Sequence, residues 1–169
     1  MADLSPLTLA MTTYYAGDPK RIQHFLKVHA LAALIGRREG LAEDVQELLE
    51  AASLVHDIGI KPAEEKYGRC DGRLQEQEGP APARAMLENL GFSPAAIQRI
   101  CYLVGHHHTY TNIDGPDYQI LVEADFLVNL YEEQVREAGI RHAYNRIFRT
   151  QAGKHLCRIM YGLEPADSL

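Results

Sequence analysis

Long apolar runs are missing from this sequence of 169 residues, and no stretch approaches the roughly 20 residues that span a bilayer. The N-terminus, Met-Ala-Asp-Leu-Ser, lacks the basic segment and the apolar stretch of a secretory signal peptide. Cys70, Cys101 and Cys157 are an odd number of cysteines and form no C-x-x-C pair, a pattern typical of reduced thiols. We therefore expect a cytoplasmic protein without a membrane partner.

An excess of basic residues is also missing. The chain has 23 acidic and 17 basic residues and a formal net charge of -6. This balance argues against a broad nucleic-acid surface, but it allows a small anionic substrate held by a local cationic cluster. The hydrophobic fraction of 46% is ordinary for a globular protein, and the length fits one domain with a hydrophobic core.

Strand signals are the third absence, since no segment alternates apolar and polar residues between turn signals. Helical patterns recur instead, and the first helix begins at Asp18-Pro19, runs to Arg38 and ends at Gly40. Further helices are predicted over residues 42–57, 80–90, 93–105, 117–133, 138–149 and 151–162, with loops over 66–80 and 106–116. Pro62 is expected to restrict the backbone after the second helix. We predict a single all-α domain over residues 1–169, a compact bundle of about six to eight helices.

Three of these helices place an ionisable side chain on an apolar face. His24 lies four residues before Val28 on the inward side of the first helix, and His56 ends the apolar stripe of the second. Asp125 shares a face with apolar residues of the helix over 117–133. A buried carboxylate is costly without a proton or a partner, but imidazoles and carboxylates satisfy one another around a cation.

Asp57 adds to this pattern, because a negative charge at the C-terminal end of a helix opposes the helix dipole and a cation compensates for it. A single histidine on an apolar face is usually a satisfied core residue, and Asp57 alone is explained by backbone contacts, so the prediction depends on the joint pattern. Imidazole and carboxylate ligands suit Mn, Fe, Co, Ni or Zn, and no thiolate lies nearby in the sequence. We predict a divalent metal ion held by His24, His56, Asp57 and Asp125.

The sequence resembles the HD phosphohydrolase superfamily at these positions. The matching pieces are Arg21-Ile22-Gln23-His24 with Val28, His56-Asp57 within Leu-Val-His-Asp-Ile-Gly, and Asp125 within Glu-Ala-Asp-Phe-Leu-Val-Asn. The resemblance covers about residues 14–162 and implies a helical HD-type domain with one or two divalent metal ions, Mg included. It also implies hydrolysis of phosphomonoesters, cyclic nucleotides or nucleoside triphosphates.

Some HD proteins add histidines that bind a second metal, one before a helix start and others after a further helix. The later feature resembles His106-His107-His108 here, whereas Glu76 and Glu78 stand where many relatives have the earlier histidine. These glutamates can bind a metal, activate water or be solvated, and the three histidines can instead belong to a polar loop. The number of metals therefore stays open, and we expect both segments to border one pocket with the metal ligands.

Hydrolysis of a phosphate ester needs an activated water and positive charge for the phosphoryl oxygens, and a divalent metal supplies both. Arg21 and Lys61, which lie close in sequence to His24 and Asp57, are candidates to bind the phosphate; a solvated surface role is their alternative. His107 or Glu78 is the candidate general acid. The expected partner is a small phosphorylated substrate, with the oligomeric state open.

Two other functions fit the same sequence. An HD-like diiron oxygenase keeps the metal but changes the chemistry, and histidines beyond the core ligands favour it. A non-catalytic binding module keeps the helical shell and predicts neither metal nor hydrolysis.

Overall fold

The computed structural model describes residues 3–163, and within that range the chain forms ten helices and no strand. This confirms the all-α fold class. The helices, in chain order, are α1 Ser5–Tyr14, α2 Pro19–Glu39, α3 Glu43–Val55, α4 Ile60–Tyr67, α5 Gly72–Glu78, α6 Pro80–Asn89, α7 Pro94–Val104, α8 Pro116–Glu132, α9 Glu137–Arg146 and α10 Gln151–Tyr161. Their number exceeds the expected one because α1, α4 and α5 are short helices that the sequence patterns did not predict.

The described residues contain neither a membrane-spanning helix nor a disulfide bond. No helix among residues 3–163 combines the length and the hydrophobicity needed to cross a bilayer. Cys70, Cys101 and Cys157 are free thiols, and the last two are buried.

Local end signals explain the boundaries of the longer helices. Asp18 caps α2 by accepting a hydrogen bond from the backbone N of Arg21 at 3.1 Å, and Gly40 ends it in the left-handed conformation with a φ of 74°. Ser93 caps α7 in the same way, accepting from the backbone N of Ala96 at 3.2 Å. A proline follows each cap, which suits the first turn because the backbone N–H there has no helical acceptor.

The loop predicted over residues 66–80 was wrong, because α5 fills residues 72–78. Asp71 caps α5 by accepting a hydrogen bond from the backbone N of Leu74 at 3.1 Å. Pro62 does not prevent a helix after α3, because it is the third residue of α4. The backbone N–H groups in the first turn of a helix have no acceptor within the helix, so proline is tolerated there. The segment is therefore a pair of short helices that hold their side chains in fixed directions.

The helices that bear the predicted metal ligands lie at the centre of the protein. α2 packs against α3 and α8, and α3 also contacts α7 and α8. Most residues of α8 are buried, including Asp125. Because His24 lies on α2, His56 directly after α3 and Asp125 on α8, the packing that forms the core also brings these side chains together.

A second carboxylate of α8 has a structural role. Glu123 is fully buried and accepts hydrogen bonds from the backbone N atoms of Arg149 at 2.6 Å and Thr150 at 2.9 Å, and from the Thr150 hydroxyl. These donors stand at the start of α10, where the helix dipole favours a negative charge. A Cβ at Gly153 would lie 1.9 Å from Glu123 Oε2, so the glycine leaves room for the carboxylate. Glu123 thus joins α10 to α8.

Gly59 lets the start of α4 approach the junction of α5 and α6. A Cβ at this position would lie 2.4 Å from the backbone O of Gln75 and 2.8 Å from the backbone N of Gly79. Backbone atoms in a packed interior cannot move aside as the end of a flexible side chain can. The close approach places Gln75 beside Asp57, and both residues line one surface cleft.

Gly59→Ala is expected to lower the free energy of unfolding by about 1 to 3 kcal/mol, because the added methyl group pushes α5 away from α4. Denaturant unfolding of the purified variant measures this. Gly139→Ala in α9 is the control, since its added Cβ meets only a side-chain atom of Val135, at 2.7 Å, and alanine favours the helix. Equal stability of the two variants would contradict the backbone contact at Gly59.

Candidate metal centre

Four side chains from α2, from α8 and from the turn after α3 converge with their ligand atoms facing one another. His24 Nε2 lies 3.3 Å from His56 Nε2, 3.2 Å from Asp57 Oδ2 and 3.2 Å from Asp125 Oδ1. His56 Nε2 lies 3.5 Å from the same oxygen of each carboxylate. His24, His56 and Asp125 are buried, and Asp57 is partly exposed. The structure therefore brings together all four residues that the sequence predicted as metal ligands.

The outer nitrogens of the two imidazoles are already engaged. His56 Nδ1 lies 2.8 Å from the backbone O of Ser53, and His24 Nδ1 lies 2.8 Å from Glu132 Oε2. Both partners are acceptors, so each Nδ1 donates its proton outward and each Nε2 faces inward, where it can bind a metal once it carries no proton. Two imidazole nitrogens and two carboxylate oxygens that face one another repel unless a cation lies between them. Nitrogen and oxygen ligands of this kind suit a divalent metal.

A second group of ligand atoms includes Asp57 again. His107 Nε2 lies 3.4 Å from Asp57 Oδ1, while its Nδ1 donates to the backbone O of Val104 at 2.9 Å. His107 is fully buried, and among the described residues its Nε2 has no hydrogen-bond partner. His108 completes this group, which like the first can hold a metal ion. An orphaned inward-facing nitrogen of this kind fits a metal ligand.

The electrostatics of the centre follow from these contacts. Burial lowers the pKa of His24, but the hydrogen bond to Asp125 and the charge of Asp57 outweigh burial and raise that pKa to about 9. Burial raises the pKa of Asp57 and of Asp125, yet the neighbouring imidazoles outweigh it and hold both carboxyl pKa values below their usual range. In the metal-free protein, a proton on His24 therefore occupies the place that the cation would take.

The turn that bears the three consecutive histidines is held by Glu76. Its carboxylate accepts hydrogen bonds from the backbone N of His108 at 2.9 Å and from the hydroxyl of Thr109 at 3.0 Å. His106 faces away from the centre, donating from Nδ1 to the backbone O of Tyr102 and stacking on its ring. Glu76 therefore positions the turn, and only two of the three histidines reach Asp57.

Two of the predicted site residues have other partners. Glu78 forms an ion pair with Lys66 at 2.6 Å and accepts a hydrogen bond from the hydroxyl of Tyr67 at 3.1 Å. Lys61 donates to the backbone O of Tyr14 at 3.3 Å and lies over its ring, 4.9 Å from the centroid. Neither residue lines the cleft described next, so the structure does not join them to the ligand groups.

A cleft of about 330 Å³ opens above the ligands, and we call it the central cleft. His24, Asp57 and His108 lie along it, and Lys20 and Arg21 contribute positive charge to its wall. Arg21, which the sequence predicted to bind the phosphate, thus lies in the same cleft as His24 and Asp57. Lys20 was not predicted, although its place one residue before Arg21 in the first turn of α2 was visible in the sequence.

The two cations of the central cleft differ in their surroundings. Arg21 pairs with Glu64 at 2.6 Å and with Asp18 at 3.2 Å. Lys20 is exposed and has no ion-pair partner among residues 3–163. An incoming anion would therefore meet one unpaired positive charge and one that is shared with carboxylates.

The sequence patterns missed the two tyrosines that fix the backbone of the His-Asp motif. Tyr15 donates its hydroxyl to the backbone O of Asp57 at 2.7 Å, and Tyr14 donates to the next backbone O at 3.2 Å. The signal for α1 was present, because Leu7, Met11 and Tyr15 recur every four residues and are all buried. The N-terminal helix thus has a direct part in the centre.

A family model described as the HD domain matches residues 21–149, which is more than half of the chain. The chain belongs to the HD domain family. Neither a curated protein nor a solved structure matches it. HD domains are generally metal-dependent hydrolases, and the His and Asp groups found here can hold a divalent metal.

In this HD domain, Glu132 orients the first imidazole from outside the ligand group. Its Oε2 accepts from His24 Nδ1 at 2.8 Å, and its Oε1 pairs with Lys27 Nζ at 2.6 Å. Glu132 follows Asp125 by two turns on the same side of α8, so one helix supplies both a ligand and the group that orients its neighbour. A carboxylate behind a metal-binding histidine fixes the tautomer and the ring direction.

Glu132→Ala is expected to weaken metal binding by about 10- to 100-fold, because His24 loses the acceptor that keeps its proton on Nδ1. Glu132→Gln should bind more tightly than the alanine variant, since a neutral acceptor oxygen remains. Titration calorimetry of each variant with one divalent metal measures the difference. Glu133→Ala removes a neighbouring carboxylate of the same cleft that does not contact His24, and an equal loss in that variant would contradict the positioning role.

Proposed function

We propose that this chain is a metal-dependent phosphohydrolase that cleaves a phosphate ester. The observation that supports it best is the position of Asp57 between two groups of ligand atoms. Its Oδ2 faces His24 and His56, and its Oδ1 faces His107, so one carboxylate can join two ions. Asp125 completes the first group. Two adjacent metal ions are a recurring arrangement in phosphoryl hydrolysis.

Bound divalent cations would supply a Lewis acid for the phosphoryl oxygens and would lower the pKa of a coordinated water. The residues around them bind the substrate. Lys20 and Arg21 stand at the mouth of the central cleft, where their positive charge suits a phosphate. A phosphate that enters can replace Glu64 or Asp18 beside Arg21.

In this hydrolase, His107 and His108 would be ligands of a metal ion. The His107 imidazole is fully buried, so it suits a ligand better than a general acid, which must reach the leaving group. Burial and the nearby His107 lower the pKa of His108 to about 4, which leaves it neutral and unable to act as an acid near pH 7. Glu78 does not suit the role of general acid, because its carboxylate is paired with Lys66.

The test begins with the metal content of protein purified without chelator. We expect about two ions per chain, falling to about one in His107→Ala. His155→Ala is the control, since His155 is an exposed residue of α10. The loaded protein is then assayed on a panel of phosphate esters with Mn, Fe, Co, Ni, Zn and Mg. No metal uptake, or no ester hydrolysed by the loaded protein, would exclude the proposal and favour the binding module.

A diiron oxygenase is the second candidate function. The observation in its favour is that four histidines, rather than two, face the carboxylates of Asp57 and Asp125. Imidazole-rich sites suit iron. Magnetically coupled iron in the purified protein, together with oxygen consumption and no ester hydrolysis, would favour it over the hydrolase.

A further inference from the structure

A second cleft lies beside the central cleft and has a volume of about 590 Å³. We call it the aromatic cleft because Tyr110 and Phe126 form part of its wall. Asn129 and Glu133 line both clefts, so the two share a boundary on α8. A ligand in the central cleft can therefore extend across this boundary into the aromatic cleft.

Two residues that line the aromatic cleft are close in sequence to metal ligands, one on each of two separate segments. On α8, Phe126 directly follows Asp125, and Asn129 donates to Asp125 Oδ1 at 2.9 Å. On the turn after α7, Tyr110 follows His108 by two residues, and its hydroxyl lies 3.5 Å from His108 Nδ1. A ligand that occupied both clefts would thus contact the metal ligands at one end and these two rings at the other.

The wall of the aromatic cleft suits a flat ring. The Tyr110 and Phe126 rings meet edge to face, with their centroids 5.2 Å apart at an interplanar angle of 69°. Tyr110 is 42% exposed, so part of its ring has no protein neighbour. Leu130 and Ile147 add apolar surface. Exposed aromatic surface inside a cleft gains free energy when another ring stacks against it.

We propose that the aromatic cleft binds the leaving group of the substrate and selects phosphate esters whose leaving group contains a ring. The hydrolytic part of this inference rests on the proposed phosphohydrolase function, whereas the binding part does not require turnover. Tyr110 is the residue that determines the preference for a ring, because its hydroxyl lies next to His108 and part of its own ring is exposed in the aromatic cleft.

Binding is tested with two phosphonates that are not hydrolysed, phenylphosphonate and methylphosphonate, on metal-loaded protein. We expect the phenyl compound to bind roughly tenfold more tightly. Tyr110→Ala should remove that preference, and Tyr110→Phe should retain it because the ring remains. Tyr131→Ala removes an aromatic ring of α8 that is 73% exposed and lies outside both clefts, and it should leave the preference intact. Equal binding of the two phosphonates to the wild type would overturn the inference.

Hydrolysis separates this inference from the proposed function. We expect kcat/KM for phenyl phosphate to exceed that for glycerol phosphate, with the ratio falling in Tyr110→Ala. Hydrolysis of both esters with a ratio that Tyr110→Ala does not change would overturn the inference and leave the hydrolase standing. A phosphonate preference that Tyr110→Ala removes, without hydrolysis of any ester, would support the ring site and overturn the hydrolase.

Discussion

Asp57→Asn is expected to abolish metal retention and to reduce phosphate ester hydrolysis by at least about a thousandfold. One oxygen of this carboxylate lies 3.2 Å from His24 Nε2, and the other lies 3.4 Å from His107 Nε2. The substitution therefore removes charge from both ligand groups at once. It also turns an NH2 donor toward one of them, where a lone pair is needed.

Elemental analysis after gel filtration measures the retained metal, and initial rates on the best ester measure turnover. Asp44→Asn is the control, because Asp44 is an exposed carboxylate at the opposite end of α3. Circular dichroism should show unchanged helix content in both variants, since the Asp57 backbone is held by Tyr15 and by Ile60. Full metal content and activity in Asp57→Asn would refute the proposed centre.

Metal affinity is expected to rise about tenfold per pH unit between pH 6 and 9, because a cation must displace the proton of His24. The pKa of His24 is raised to about 9, so the metal-free protein holds this proton at every lower pH. Metal affinity rises with pH because the competing proton is present below the folded-state pKa of His24 and is lost above it. An unperturbed imidazole, with a pKa of about 6.5, would instead end the competition near neutral pH.

Apparent dissociation constants for one metal, measured at several pH values, check this expectation. Calorimetry in two buffers of different ionisation enthalpy should also show about one proton released per first ion bound near pH 7. Glu132, which is paired with Lys27, also faces His24, so Glu132→Ala should move the pH dependence of metal affinity to lower pH by removing a carboxylate. A constant affinity from pH 6 to 8.5 would show that His24 is not a ligand.

Helix dipoles oppose the charge of Asp57 less than the sequence predicts. The sequence places Asp57 at the end of a helix whose dipole opposes its charge. In the structure, α4 begins at Ile60, three residues later, and its N-terminal end favours a negative charge nearby. The α4 dipole therefore offsets part of the unfavourable α3 dipole at Asp57, and the ligand atoms that converge on His24 Nε2 are the stronger indication of a cation.

Helical periodicity in the sequence was sufficient to predict the fold class and the inward direction of His24, His56 and Asp125. Side-chain direction on a helix repeats every 3.6 residues, so an apolar stripe also fixes where an ionisable residue on that stripe points. His24 is 7% exposed and Asp125 is 3% exposed, in agreement with that reasoning. The cap and breaker residues of α2 and α7 are equally local signals.

The tertiary structure alone decided what those inward-facing groups meet. Asp125 and Glu123 are both buried carboxylates of α8, yet one faces two imidazoles and the other binds the backbone just before α10. Glu76 and Glu78 are two residues apart, yet one holds the turn of His108 and the other pairs with Lys66. Local patterns fix the face of a helix, but the partner across that face comes from a residue distant in sequence, and only the packing of whole helices selects it.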